Sequence, residues 1–196
     1  MTPRAEATRR RLFEATMRLA RGTGLAGVTV DDIAAEAGVA KGTVYYNFRS
    51  KDGLVEALLR HGVGDLAERM TAAVDEAGDD APAGLAGLVD AALAFIERYP
   101  GFSQILVSEL WRTPGNWAET LMPLREEILT ILERQLARVA ACGSFPAGVP
   151  VRSAATALFG TLLVSALDWL VFEPERDRAE VRDAVLTLLA ARVEPG

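Results

Sequence analysis

Between residues 41 and 51 the chain places Lys41, Thr43, Tyr45, Tyr46, Asn47 and Lys51: two ammonium groups, three hydroxyls and a carboxamide. Such groups donate hydrogen bonds. With Gly42 among them, which lets backbone approach a surface closely, they suit phosphate oxygens and base edges. Covalent chemistry has little to work with. The chain has one histidine, His61, and one cysteine, Cys142. It therefore lacks the means for a multi-histidine metal site, a structural zinc site or an intrachain disulfide. The expectation is no catalytic residues, no metal and no cofactor, with Cys142 a small core residue.

The charge distribution points the same way. The net charge is −6, yet residues 1–60 hold ten Lys and Arg against seven Asp and Glu, or +3, which leaves −9 for the remainder. That asymmetry fits a small polyanion-binding module on a larger acidic body. The chain has 196 residues, half of them hydrophobic, enough for one large domain or two modest ones. The first residues are charged throughout and contain no secretory signal, so the expected location is cytoplasmic. Residues 154–172 are long and apolar enough to imitate a membrane span, but Thr156, Thr161, Ser165 and Asp168 interrupt them. Burial by protein on all sides is expected there, with no membrane partner.

The elements that must carry these residues are helices. Apolar positions recur at intervals of three and four throughout, and no alternating pattern persists, so the fold class is all-α with about nine helices. A first helix has Leu12, Phe13, Thr16, Leu19 and Ala20 on one face. Thr29 precedes Asp32 by three residues, the signature of a capped start, and Gly38 ends that second helix. A short helix carrying Val44 and Phe48 follows, and Ser50 caps a longer one from Lys51 into the low seventies. Residues 77–84 read as a turn or linker. Further helices are predicted at 85–99, 101–112, 117–141, 151–172 and 176–192. If Val44 and Phe48 face inward, the helical repeat puts Gly42 and Tyr46 outward, Thr43 and Tyr45 on the flanks and Lys41 at the leading end. Two short helices around a glycine turn, the second exposing donors, fit a helix-turn-helix whose recognition helix enters a DNA major groove.

The run TVDDIAAEAGVAKGTVYYNFRSKDGLVEALL, residues 29–59, closely resembles the DNA-binding module of the TetR family of one-component transcriptional regulators. The resemblance covers about the first third of the chain; beyond it only helix number and length are similar. It implies a supporting helix at 29–37 and a recognition helix at 41–47. Lys41, Gly42 and Tyr45 then lie where base contacts are commonest, and Thr43, Tyr46, Asn47 and Lys51 where phosphates are held, with Thr29 in the same DNA-binding set. The family often has serine where this chain has Ala40, so the recognition helix loses a side-chain cap. Asp31 stands where some relatives place a base-reading arginine and is given no DNA role. Arg4, Arg9, Arg10 and Arg11 are either a basic arm on the DNA or a solvated helix face.

The resulting division is a DNA-binding domain at 1–50 and a helical ligand-binding and dimerisation domain at 51–196. A short recognition helix contacts few base pairs, so two copies on a palindromic operator are expected. The last two helices are expected to supply the homodimer interface through Leu158, Leu162, Trp169, Val185 and Leu189. Phe102, Leu106, Glu109, Trp111, Trp117 and Met122 are candidates for a pocket that takes a small-molecule effector. The function expected is a ligand-responsive DNA-binding regulator, a repressor released from its operator by that effector, and not an enzyme.

Overall fold

The computed structural model describes residues 3–21, 24–111, 118–143, 145 and 148–190. Among them there are nine α-helices and no strand: α1 Pro3–Ala20, α2 Val30–Ala37, α3 Lys41–Phe48, α4 Lys51–Glu76, α5 Ala81–Arg98, α6 Pro100–Trp111, α7 Ala118–Ala141, α8 Val151–Phe172 and α9 Arg178–Ala190. They gather into two compact units. The first holds α1, α2, α3, α4 as far as Gly62, and α6; the second holds α4 from Val63, α5, α7 from Met122, α8 and α9.

In the first unit α1 buries Leu12, Phe13, Ala15, Thr16 and Ala20 and packs against α2 and α6. The Thr16 hydroxyl donates to the Leu12 carbonyl at 2.8 Å, so no polar group is stranded there. Helix α6 comes close because of glycine: a Cβ on Gly101 would stand 2.2 Å from the Met17 carbonyl oxygen. The Phe102 ring fills the space beside Gly62 in the same way, 2.2 Å from where a Cβ would be.

Helix α2 is closed at both ends. Thr29 and Asp32 form a reciprocal capping box at its start. At its end Gly38 adopts φ +63 and the Val39 N–H reaches the Ala34 carbonyl at 2.9 Å, a Schellman turn. The Arg11 guanidinium donates to the carbonyls of Ala37 at 2.6 Å and Gly38 at 3.0 Å, satisfying groups the helix leaves over. Helix α3 ends on Arg49, which takes φ 65, the one non-glycine residue with positive φ among those described. That conformation costs an L-residue about 1–2 kcal/mol. The Ser50 hydroxyl then accepts the Gly53 N–H at 2.9 Å and starts α4.

In the second unit α5, α8 and α9 pack on one another around Leu88, Val89, Leu93, Leu158, Leu162 and Val185. Gln135 of α7 is buried and donates to the Ala81 carbonyl at 2.6 Å. Arg178 of α9 pairs with Asp90 at 3.1 Å and Glu97 at 2.7 Å on α5.

Two expectations need correction. Helix α5 begins at Ala81, inside the segment read as a linker, because Asp80 caps it by accepting the Ala83 N–H at 2.9 Å and Pro82 fits a first turn. Cys142 is exposed rather than core. Within one chain 28% of the most apolar stretch of α8 is buried, so any further cover must come from a second copy. Leu158, Leu162, Trp169 and Val185 point into the chain's own core, with the Trp169 indole N–H donating to the Arg176 carbonyl at 2.9 Å, and Leu189 is half-buried. The apolar groups left outside on α8 and α9 are instead Val164, Val171, Phe172 and Leu188.

Candidate nucleic-acid interface

Helix α3 is fixed from behind. Val44 and Phe48 are buried, and the Phe48 ring meets Phe13 of α1 with centroids 5.6 Å apart. The Arg9 guanidinium lies 4.6 Å from the centre of the Phe48 ring, a cation–π contact that adds to the anchor. In front, nothing lies within 4 Å of a Cβ built on Gly42, and Tyr46 is 90% exposed. Tyr45 is exposed on the flank at 45%, and Thr43 is half-buried. The outward row of small and hydroxyl-bearing residues is therefore open, as the helical repeat requires.

The polar residues of the predicted set are less free. The Lys41 ammonium pairs with Asp31 at 2.8 Å, which raises the Lys41 pKa through that hydrogen bond and the carboxylate's charge. The Asn47 carboxamide donates to the Thr43 carbonyl at 2.8 Å within the same helix. The Lys51 ammonium donates to the Leu25 carbonyl, joining the start of α4 to the loop before α2. Ala40 provides no side-chain cap, and α3 starts on the Thr43 N–H bond to the Ala40 carbonyl, 2.8 Å.

Thr29 serves α2. Its hydroxyl donates to the Asp32 carboxylate at 2.7 Å and accepts the Asp32 N–H at 3.2 Å, while its own N–H reaches that carboxylate at 2.8 Å. The Thr29 hydroxyl bond, then the N–H bond, hold the Asp32 carboxyl below the usual carboxylate range against an opposing desolvation effect. A carboxyl depressed in the folded chain contributes stability above its unfolded pKa and loses it as pH falls through the folded value. Urea midpoints of the wild type should thus fall on acidification below the ordinary aspartate range more steeply than those of Asp32→Asn. Parallel curves would exclude the carboxylate as the cause.

The arginines of α1 face partners within the chain. Arg9 lies over Phe48, Arg10 pairs with Glu14 at 3.8 Å, Arg11 caps α2, and Arg18 pairs with Glu36 at 2.6 Å. The side chain of Arg4 lies outside the described residues.

Of the pocket candidates, Phe102, Leu106 and Met122 have described side chains. Phe102 is buried beside Gly62, Leu106 is half-buried, and Met122 is 69% exposed, since it lies on the solvent side of α7. Trp117 and the side chains of Glu109 and Trp111 lie outside the described residues. Among the described residues no group of three or more His, Cys, Asp or Glu is placed to hold a metal ion.

Residues 12–58, which span this module, match the family model for bacterial regulatory proteins of the tetR family. The HTH-type transcriptional regulator BetI 2 of Chromohalobacter salexigens is 31% identical over 187 residues, covering 92% of this chain and 86% of that protein. The chain belongs to the TetR family. It is a DNA-binding transcriptional regulator, and α2 with α3 is its helix-turn-helix. The fold extends over nearly the whole length. The fatty acid degradation regulator FadR of Bacillus halodurans superposes with a TM-score of 0.83 at 22% identity, covering 94% of this chain and 99% of that one. The regulator FadR of Bacillus subtilis, solved in complex with stearoyl-CoA, superposes at 0.81 with 24% identity and coverage of 94% and 99%. Arg49 and the Asp31 partner of Lys41 were not among the predicted DNA-binding residues. Residue type alone carries no sign of a positive φ or of an ion pair between helices.

Proposed function

We propose that the protein is a repressor that works as a cytoplasmic homodimer and is released from a palindromic operator by an acyl-CoA thioester. The observation that carries the DNA-binding half is the open row Gly42 and Tyr46 on a helix pinned by Val44 and Phe48. Residues 1–50 are assigned to DNA binding and 51–196 to effector binding and dimerisation, with no catalytic role. The exposed Val164, Val171, Phe172 and Leu188 support self-association, since apolar side chains grouped on a helix surface favour burial against a self-complementary copy. The stearoyl-CoA bound by the Bacillus subtilis relative motivates the effector class, and Phe102 and Leu106 remain the pocket candidates of this chain.

A ligand shifts such an equilibrium only by its differential affinity for the two states. The test is to select duplexes from a random pool with the purified protein, then titrate stearoyl-CoA, with free coenzyme A as control. Selected duplexes should bind roughly 10³-fold or more above random DNA, and stearoyl-CoA alone should weaken them. An acyl-CoA that binds without changing DNA affinity would refute the effector; failure to enrich any duplex would refute operator recognition.

A further inference from the structure

Among the described residues the cations of the DNA-binding unit fall into two groups. Arg9, Arg10, Arg11, Arg18, Lys41 and Lys51 are engaged by rings, carboxylates or carbonyls within the chain. Arg49 is exposed and has no hydrogen bond or ion pair from its side chain among the described residues. Arg21, likewise unpaired there, follows the C-terminal end of α1. Two acidic residues, Asp52 and Glu56, line the same open groove as Arg49, yet Glu56 is taken by Arg60 at 2.9 Å. Arg49 thus keeps its charge unspent although the Asp52 carboxylate lines the same groove.

Its backbone carries a second, independent observation. Arg49 stops α3 with a positive φ of 65 and ψ of −35, its N–H on the Tyr45 carbonyl at 2.9 Å. Glycine fills such a position without strain, and a helix ends there more readily with it. Strain of this kind is held where a side chain is needed. The placement indicates the need: Arg49 follows Tyr46 by three residues and Gly42 by seven, so its Cα continues the outward row of α3.

We propose that Arg49 is a phosphate-binding residue of the DNA interface, retained at the end of α3 at a cost in stability. Its partner is the sugar-phosphate backbone of duplex DNA flanking the groove that α3 enters. The guanidinium offers a planar fork of donors to phosphate oxygens and carries no sequence information. The inference rests on α3 as the reading helix, and the test separates the two.

Wild type, Arg49→Gly, Arg49→Lys and Gly42→Glu are titrated with a labelled duplex of random sequence across a series of KCl concentrations, and each is melted. Random sequence suffices because phosphate contacts operate in non-specific binding. Arg49→Gly should melt about 2–4 °C higher while the slope of log affinity against log salt becomes shallower by about 0.9 per protomer. Arg49→Lys should keep the wild-type slope. A purely structural arginine would give no such opposition: an Arg49→Gly protein with the wild-type salt slope, or one that melts lower, overturns the proposal. Gly42→Glu should lose binding; unchanged binding there removes α3 itself as the contacting helix, a different failure from an unchanged slope at Arg49.

Discussion

Phe48→Ala should cost about 3–5 kcal/mol of stability and abolish operator binding, the largest effect expected of any single substitution in the reading helix. The ring is buried, touches Phe13 and carries the Arg9 guanidinium on its face. Its removal leaves a void behind α3 and sets free a cation that had been packed. The contrast is Tyr46→Ala. At 90% exposure Tyr46 has little folded-state packing to lose, so stability should stay within about 0.5 kcal/mol while operator affinity drops. Urea midpoints and binding to a selected duplex, measured on both variants, give the comparison. Equal destabilisation by the two substitutions would contradict the assignment of inner and outer faces.

The second large effect concerns the crossing of α6 and α1. Gly101→Ala should destabilise the unit by about 3 kcal/mol, the upper part of the usual range for overpacking. The new methyl would meet the Met17 carbonyl oxygen at 2.2 Å, and a backbone atom held in a helix cannot swing aside. Gly62→Ala should cost less although its nearest atom is equally close, because that atom belongs to the Phe102 side chain. Gly42→Ala meets nothing within 4 Å and should stabilise α3 by about 0.5–1 kcal/mol from helix propensity. Chemical denaturation of the three variants would rank them; a Gly101→Ala protein as stable as wild type would mean the two helices separate easily.

Much of this arrangement could be read from residue order. The burial of Val44 and Phe48 followed from their spacing, and the Thr29 and Asp32 box from its three-residue interval. Helix α8 resisted such reading for a physical reason. Its residues are apolar on nearly all sides, so periodicity could not tell the side packed on α5 and α9, with Leu158, Leu162 and Trp169, from the side bearing Val164 and Val171. The start of α5 was missed because Asp80 and Pro82 serve turns and helix starts alike. Long flexible side chains were the other blind spot. The family resemblance put Lys51 where phosphates are held; in the structure its ammonium also reaches back to the Leu25 carbonyl, a contact between segments that no local pattern encodes.

Cys142 stands just past the end of α7, exposed, and is the chain's sole sulfhydryl. A maleimide probe therefore attaches at one known place without any engineered cysteine. If two copies associate through α8 and α9, the assembly carries a matched pair of labels, and the spacing between them becomes a ruler for rearrangement on binding DNA or effector.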